Sequence, residues 1–238
     1  MTARRGIALI AGTVVFYLAV SPLVDGFADR NLVGHMLQHA LIISVAAPLI
    51  ALSEPIRTLL GLLGAEEGRR VVRVLRSRPG RAVSSPLFAL CAFVATVLVT
   101  HLPRVYDFAI ENDVPHAAEH LLYLVVGVLF WSVVVGADPT RRPLSLVGVS
   151  GFIVAGMVPM LAIGVVFVTS GHVLYAPYEE FASAHRVLSD QEVAATVMWI
   201  GDAPMALALV LAGWSSLARE ERRQQVRERA MIMSERGA

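Results

Sequence analysis

Charge is scarce in this chain, cysteine is nearly absent, and lysine is missing altogether. Only 16% of the 238 residues are charged, there is one cysteine, Cys91, and all 20 basic residues are arginine. A single thiol excludes a disulfide framework, a CxxC redox pair and a thiolate cluster for zinc or iron–sulfur. Apolar residues fill the space, at 56% of the chain with a mean hydropathy of +0.65, the composition of a membrane protein. Each spanning helix needs about 20 apolar residues, so a chain of this length holds about six or seven spans with ordinary loops and has no room for a separate soluble enzyme domain. The sequence contains no internal repeat and no low-complexity tract.

Long apolar runs fall at residues 7–24, 32–52, 86–102, 116–136, 144–169 and 193–217. The first follows Arg4 and Arg5 and exceeds the usual core of a signal peptide, so it reads as an uncleaved anchor. The net charge of +1 says little, but the placement of the arginines says more. Counted in order through the segments outside the runs, they number 2, 1, 7, 1, 2, 1 and 6. That puts 17 on one side of the membrane and 3 on the other, the asymmetry expected when six spans leave both termini in the cytoplasm. The expected fold is therefore all-α, a polytopic integral membrane bundle of six transmembrane helices. It forms one membrane domain, 1–218, followed by a charged cytoplasmic tail, 219–238. The arginine-rich cytoplasmic segment 54–85 reads as an interfacial amphipathic helix with a break at Pro79-Gly80. The lipid bilayer is the expected surrounding, and no nucleic-acid partner is expected.

On this topology all seven histidines lie at or beyond the outer face. His35 and His39 open the second span, His101 closes the third, His116 and His120 open the fourth, and His172 and His185 follow the fifth. HMLQH (His35 to His39) and HAAEH (His116 to His120) each set two imidazoles four residues apart. On a helix these share a face, roughly 5–6 Å apart at Cβ, and can hold one ion or half of a shared site. Glu119 adds a carboxylate to the second pair. Imidazole suits copper, zinc, iron and nickel, and thioether ligands favour cuprous copper. Met36, Met157, Met160 and Met198 lie in or near the spans and mildly favour copper, although packing explains each taken singly. Cys91, near the cytoplasmic start of the third span, reads as a small buried residue. Asp202 lies within the last span and needs a partner or a wet cavity if ionised. Tyr106-Asp107 and Asp190-Gln191 fall in outer loops, where they could orient a metal-bound histidine.

Four stretches are familiar as a set: HMLQHALIISVAAPLIALSEPIR (35–57), HLPRVYDFAIENDVPHAAEHLLYLVVGVLFWSVVVGADP (101–139), YAPY (175–178) and DQEVAATVMW (190–199). Together they resemble the CtaG family of bacterial caa-type cytochrome c oxidase assembly factors. The resemblance runs from Val20 to about Trp214. It implies a polytopic plasma-membrane protein that is required for an active oxidase and helps deliver copper to it. Matched motif by motif, the family's HMxQH histidines fall on His35 and His39 and its HLP histidine on His101. Its HxxEH group falls on His116, Glu119 and His120, and its DQ pair on Asp190 and Gln191. Relatives commonly carry one more hydrophobic helix before the first span, so six spans stand here where seven are usual.

The expectation is a copper-binding assembly factor and not an enzyme. Its metal ligands would be His35, His39, His116 and His120, with His101 as a fifth candidate and Glu119 as ligand or base. Met36, Asp190 and Asp202 are additional candidates near the ion. The expected partners are cytochrome c oxidase subunits and a copper donor protein, and the oligomeric state stays open. The alternative from another class is a membrane-embedded zinc hydrolase in which Asp202 joins the HxxxH histidines and Glu119 or Asp190 is the base. The sequence has neither HExxH nor a serine placed to serve it. A b-type haem protein with two axial histidines is a further rival, but it would need ligands deeper than helix ends.

Overall fold

The structure, a computed structural model, describes residues 2–137 and 143–236. Among these residues every regular element is helical. The chain runs through α1 (Ala3–Ala19), α2 (Pro22–Ala28), α3 (Leu32–Leu52), α4 (Pro55–Leu62), α5 (Ala65–Arg76), α6 (Arg78–Val83), α7 (Pro86–Thr100), α8 (Pro103–Ile110), α9 (Asp113–Val134) and α10 (Leu146–Thr169). A short 3₁₀ turn, Ala176–Glu180, precedes α11 (Ala184–Gly201) and α12 (Ala203–Arg236). Four helices are long and apolar enough to cross a membrane: α3, α9, α10 and the α11–α12 pair over Ala184–Ser216. The number rises to six if α1 with α2, bent by 49°, and α7 with α8, bent by 78°, each count as one span. Both bends follow from proline. Pro22 and Pro103 open their helices, and the residues before them, Ser21 and Leu102, are forced into extended backbone. Large apolar side chains such as Ile7, Leu23, Leu62, Val114 and Val147 are exposed around the bundle, which suits lipid contact.

The central helix is α3. It packs against α1, α2, α9 and α11, while α7 and α10 close the far side of α9. Midway along α3 the backbone widens into a π turn, Ile42–Ala46. Ala47 N–H reaches back to Ile42 O instead of Ile43 O. Trp131 Nε1 on α9 donates to the freed Ile43 carbonyl at 2.9 Å, and Ser44 Oγ donates to Gly201 O at 2.6 Å. The freed Ile43 carbonyl therefore ties α3 to α9 as an ordinary helix could not, and the Ser44 side chain adds a tie to α11. Replacing Trp131 by Phe keeps the ring but strands Ile43 O. We expect a loss of about 1–3 kcal/mol, read as a lower Tm in detergent.

The two ends of the bundle differ. At one end Glu54, in a left-handed backbone conformation (φ 50°), pairs with Arg5 at 2.8 Å and Arg57 at 2.9 Å. The other end holds the start of α3, the α7–α8 bend, the start of α9 and the 3₁₀ turn. Tyr178 Oη donates to Ala28 O and Tyr175 Oη to His101 O.

Four local readings of the sequence need correction. The last span begins at Ala184, not 193, because the first two turns, with His185, Arg186 and Asp190, look too polar to be helical, yet they bury Val187 and Gln191 against their neighbours. Asp190-Gln191, in α11, and Tyr106-Asp107, in α8, are helical and not in loops. In the segment 54–85 the break falls at Ser77. Pro79 sits in the first turn of α6, where it has no hydrogen bond to lose. Cys91 is exposed on the face of α7, not buried. Of the loop carrying Arg141 and Arg142, residues 138–142 lie outside the described residues, as do 237–238 of the tail.

Candidate metal centre

The start of α3 is fixed from two directions. Asn31 caps it by accepting from Gly34 N at 2.7 Å. Asp190 Oδ2, from α11, accepts from Leu32 N at 2.6 Å and Val33 N at 3.2 Å. These two acceptors satisfy amides that a helix leaves open at its start, and they hold His35 one turn away at a set height. On α9, His116, Glu119 and His120 fall in the first two turns. The four imidazoles of the two pairs meet. His35 and His39 are 4.3 Å apart between ring centroids, as are His116 and His120. Across the helices, His35 stacks on His116 at 5.2 Å, and His39 lies edge-on to His120 at 5.5 Å. All four residues are at most 6% exposed.

Their ligand atoms sort into two groups of three, each with all atoms within 4.8 Å of one another. The inner group is His35, His39 and Glu119, wholly buried. The outer group is His116, His120 and Asp25, and it borders a cavity of about 390 Å³ lined also by Asp29 and Asp113. Asp25 had no place in the sequence reading. The bend between α1 and α2 swings it over α9, and Gln38, inside the HMLQH motif, donates to it from Nε2 at 2.9 Å. Burial, and then the neighbouring Asp25 charge, push the Asp29 carboxyl above its usual range. A cation between these groups relieves that crowding.

The inner group shows what it lacks. Both ring nitrogens of His35 and of His39 and both carboxylate oxygens of Glu119 are buried without a hydrogen-bond partner. Nε2 of His116 and of His120 are in the same condition. Buried polar atoms are otherwise almost always paired, so this concentration at one point fits a bound cation. The chemistry of the set, imidazole with carboxylate, suits copper or zinc.

Tyrosines close the centre. The Tyr106 ring lies 4.9 Å from His35 and stacks on Tyr175 at 3.8 Å, and its hydroxyl shares a 2.6 Å hydrogen bond with Tyr178. Burial raises the Tyr178 hydroxyl above its usual pKa and keeps it neutral. Tyr123, one helical turn past Glu119, lies 4.3 Å from His39 and bonds Thr100. The histidines are therefore roofed by α8 and the 3₁₀ turn, where the sequence placed them at open helix ends. The outer group faces the cavity of about 390 Å³, whereas the inner group is enclosed.

The remaining candidates separate. His101 joins neither group but sits behind His39 beside Tyr123. Met36 is buried beside His39. Asp190 serves the start of α3, and Asp202 is buried at the α11–α12 junction with both oxygens unpartnered and outside both groups. His172 and His185 are exposed and apart from the centre. Gln191 braces the loop after α10 through Phe167 O, Ser170 Oγ and Leu174 N.

A family model described as cytochrome c oxidase caa3 assembly factor matches residues 1–220. Among curated proteins, uncharacterized proteins of Mycobacterium bovis and Mycobacterium tuberculosis are each 24% identical over 94% of this chain, and one of Mycobacterium leprae is 21% identical over 94%. The chain spans 35–36% of the length of these relatives. No solved structure matches.

Proposed function

The chain belongs to the family of cytochrome c oxidase caa3 assembly factors, and from that premise we propose that its part in assembly is to hold copper at the four-histidine centre and pass it to an oxidase subunit. Copper is cargo in this reading, and no covalent bond of a substrate is made or broken. The carrying observation is the inner group, where six nitrogen and oxygen atoms of His35, His39 and Glu119 are buried without a partner. The outer group supplies an approach. Asp25, Asp29 and Asp113 line the cavity in front of His116 and His120, so a cation is drawn to the mouth before it meets an imidazole. The two groups adjoin through ring pairs at 5.2 and 5.5 Å, close enough for an ion to change ligands without returning to water.

Orientation follows from the same residues. The end holding Arg5, Glu54 and Arg57 continues into the arginine-rich α5 and α6. We assign that end to the cytoplasm by the positive-inside rule, which turns the histidine end outward. A copper donor protein on that side would load the outer group, and the oxidase would unload it. The family match gives the zinc hydrolase reading no support.

The test is metal analysis of detergent-purified protein, with oxidase copper measured in cells that lack the gene. Copper bound in about stoichiometric amount and a copper-poor oxidase in the deletion strain are expected. Protein with no copper affinity, or a fully metallated oxidase without it, sinks the reading.

A further inference from the structure

Behind the inner group lies a second, chemically different pocket. Met36 of α3, Met160 of α10 and Met198 of α11 converge with His39, His101 and Tyr123 around an enclosed cavity of about 10 Å³, room for no more than one small body. All three methionines are buried. Any one of them reads as core filler. Three from three helices, gathered around imidazoles with unpartnered nitrogens, do not.

His101 supplies the decisive geometry. Its Nδ1 lies 2.7 Å from Val97 O, and a carbonyl can only accept, so Nδ1 carries the proton. Nε2 is then a bare lone pair, and it is buried without a partner. The backbone thus presets the tautomer a metal ligand needs, as a hydrogen bond to the other ring nitrogen does at established metal sites. His39 borders both this cavity and the inner group, and neither of its ring nitrogens has a partner.

We propose that Met36, Met160, Met198 and His101 form a separate cuprous copper site, with His39 as the ligand it shares with the inner group. Soft thioethers select Cu(I), while Zn(II) and Cu(II) remain with the imidazole and carboxylate groups. A chain with both sites can hold Cu(I) at two depths, and His39, which borders both, is where a Cu(I) ion crosses with no change of oxidation state. The site deepens the copper reading above and rests on it for the source of the ion.

X-ray absorption at the copper edge of full-length, detergent-purified protein loaded anaerobically with Cu(I) tests this. Copper–sulfur scattering is expected from the thioethers, since the one cysteine is exposed on α7 ten residues before His101; Cys91→Ala should leave it in place. Met160→Leu/Met198→Leu keeps side-chain volume, so the fold should survive. That variant should lose the sulfur scattering and weaken Cu(I) binding by about tenfold or more while Zn(II) binding stays at the wild-type level. Copper held only through nitrogen and oxygen in the wild type overturns the thioether site and leaves the histidine centre standing. Sulfur scattering that persists in full in the methionine variant also overturns it. Sulfur-bound Cu(I) in a His35→Ala/His116→Ala variant that has kept all its copper upholds this site and removes the histidine centre as the principal one. Absence of bound copper in every form overturns both.

Discussion

Replacing His35 and His39 together by alanine is expected to remove the inner ion while leaving the protein folded. The two rings supply four of the six unpartnered buried atoms in the inner group, and Glu119 alone cannot hold a cation against water. The tight inner copper should be lost, leaving only what the outer group and the methionine pocket hold, and oxidase activity in a complemented deletion strain should fall with it. The stability of the metal-free protein separates a ligand from a structural residue. A histidine kept for hydrogen bonding costs about 1–3 kcal/mol when lost, because its partner is stranded. Here no hydrogen-bond partner is stranded, so the metal-free variant should melt close to the metal-free wild type, and His35→Leu/His39→Leu, which refills the space, closer still. His172→Ala and His185→Ala, at exposed imidazoles outside the centre, should leave copper content unchanged. Glu119→Gln keeps the shape and removes the charge, and should weaken binding less than the double histidine change. A double variant that keeps its copper, or that loses copper only because it unfolds, would count against these residues as ligands.

Much of this centre is legible in the sequence because it is local. Two HxxxH spacings, each on a helix opening at the same face, are enough to pair the imidazoles, and the arginine distribution is enough to put both openings at one end. What a linear reading misses is set by bends and by distant contacts. Asp25 enters only because the chain turns by 49° between α1 and α2. An acidic residue just past the first apolar run, at the same face as the histidines, was the available hint. Tyr123 carries no pattern of its own, since a tyrosine in an apolar run looks like packing until Thr100 and His39 are seen beside it. Asp190 is the opposite case. Its motif suggested a place near the ion, whereas its carboxylate is occupied by the amides of Leu32 and Val33. The methionines were visible one by one, but their convergence depends on how α3, α10 and α11 pack, which hydropathy does not encode.

The same dependence on packing makes a glycine two turns from the histidines as important as a ligand. Gly127 lies seven residues beyond His120 on α9, facing α3 where Ala47 lies eight beyond His39. A Cβ at Gly127 would sit 2.9 Å from the Ala47 Cβ and 3.8 Å from Ile43 Cα. Small residues at such a crossing let two membrane helices approach closely. Here that approach lets Glu119 of α9 reach the histidines of α3. Gly127→Leu keeps every ligand but must push α9 away from the π turn, stretching the Trp131 to Ile43 hydrogen bond as it does so. Overpacking of this kind costs about 1–3 kcal/mol, so the variant should fold with a lower Tm. Its effect on metal should be unequal. The inner group spans α3 and α9 and should lose affinity steeply, whereas His116 and His120 share α9 and should keep their spacing. Zinc titration of the variant checks this. Loss of the tight inner site with a weaker outer site retained is the expected outcome, and an unchanged inner site would show that the close crossing of α3 and α9 does not set the geometry of the centre.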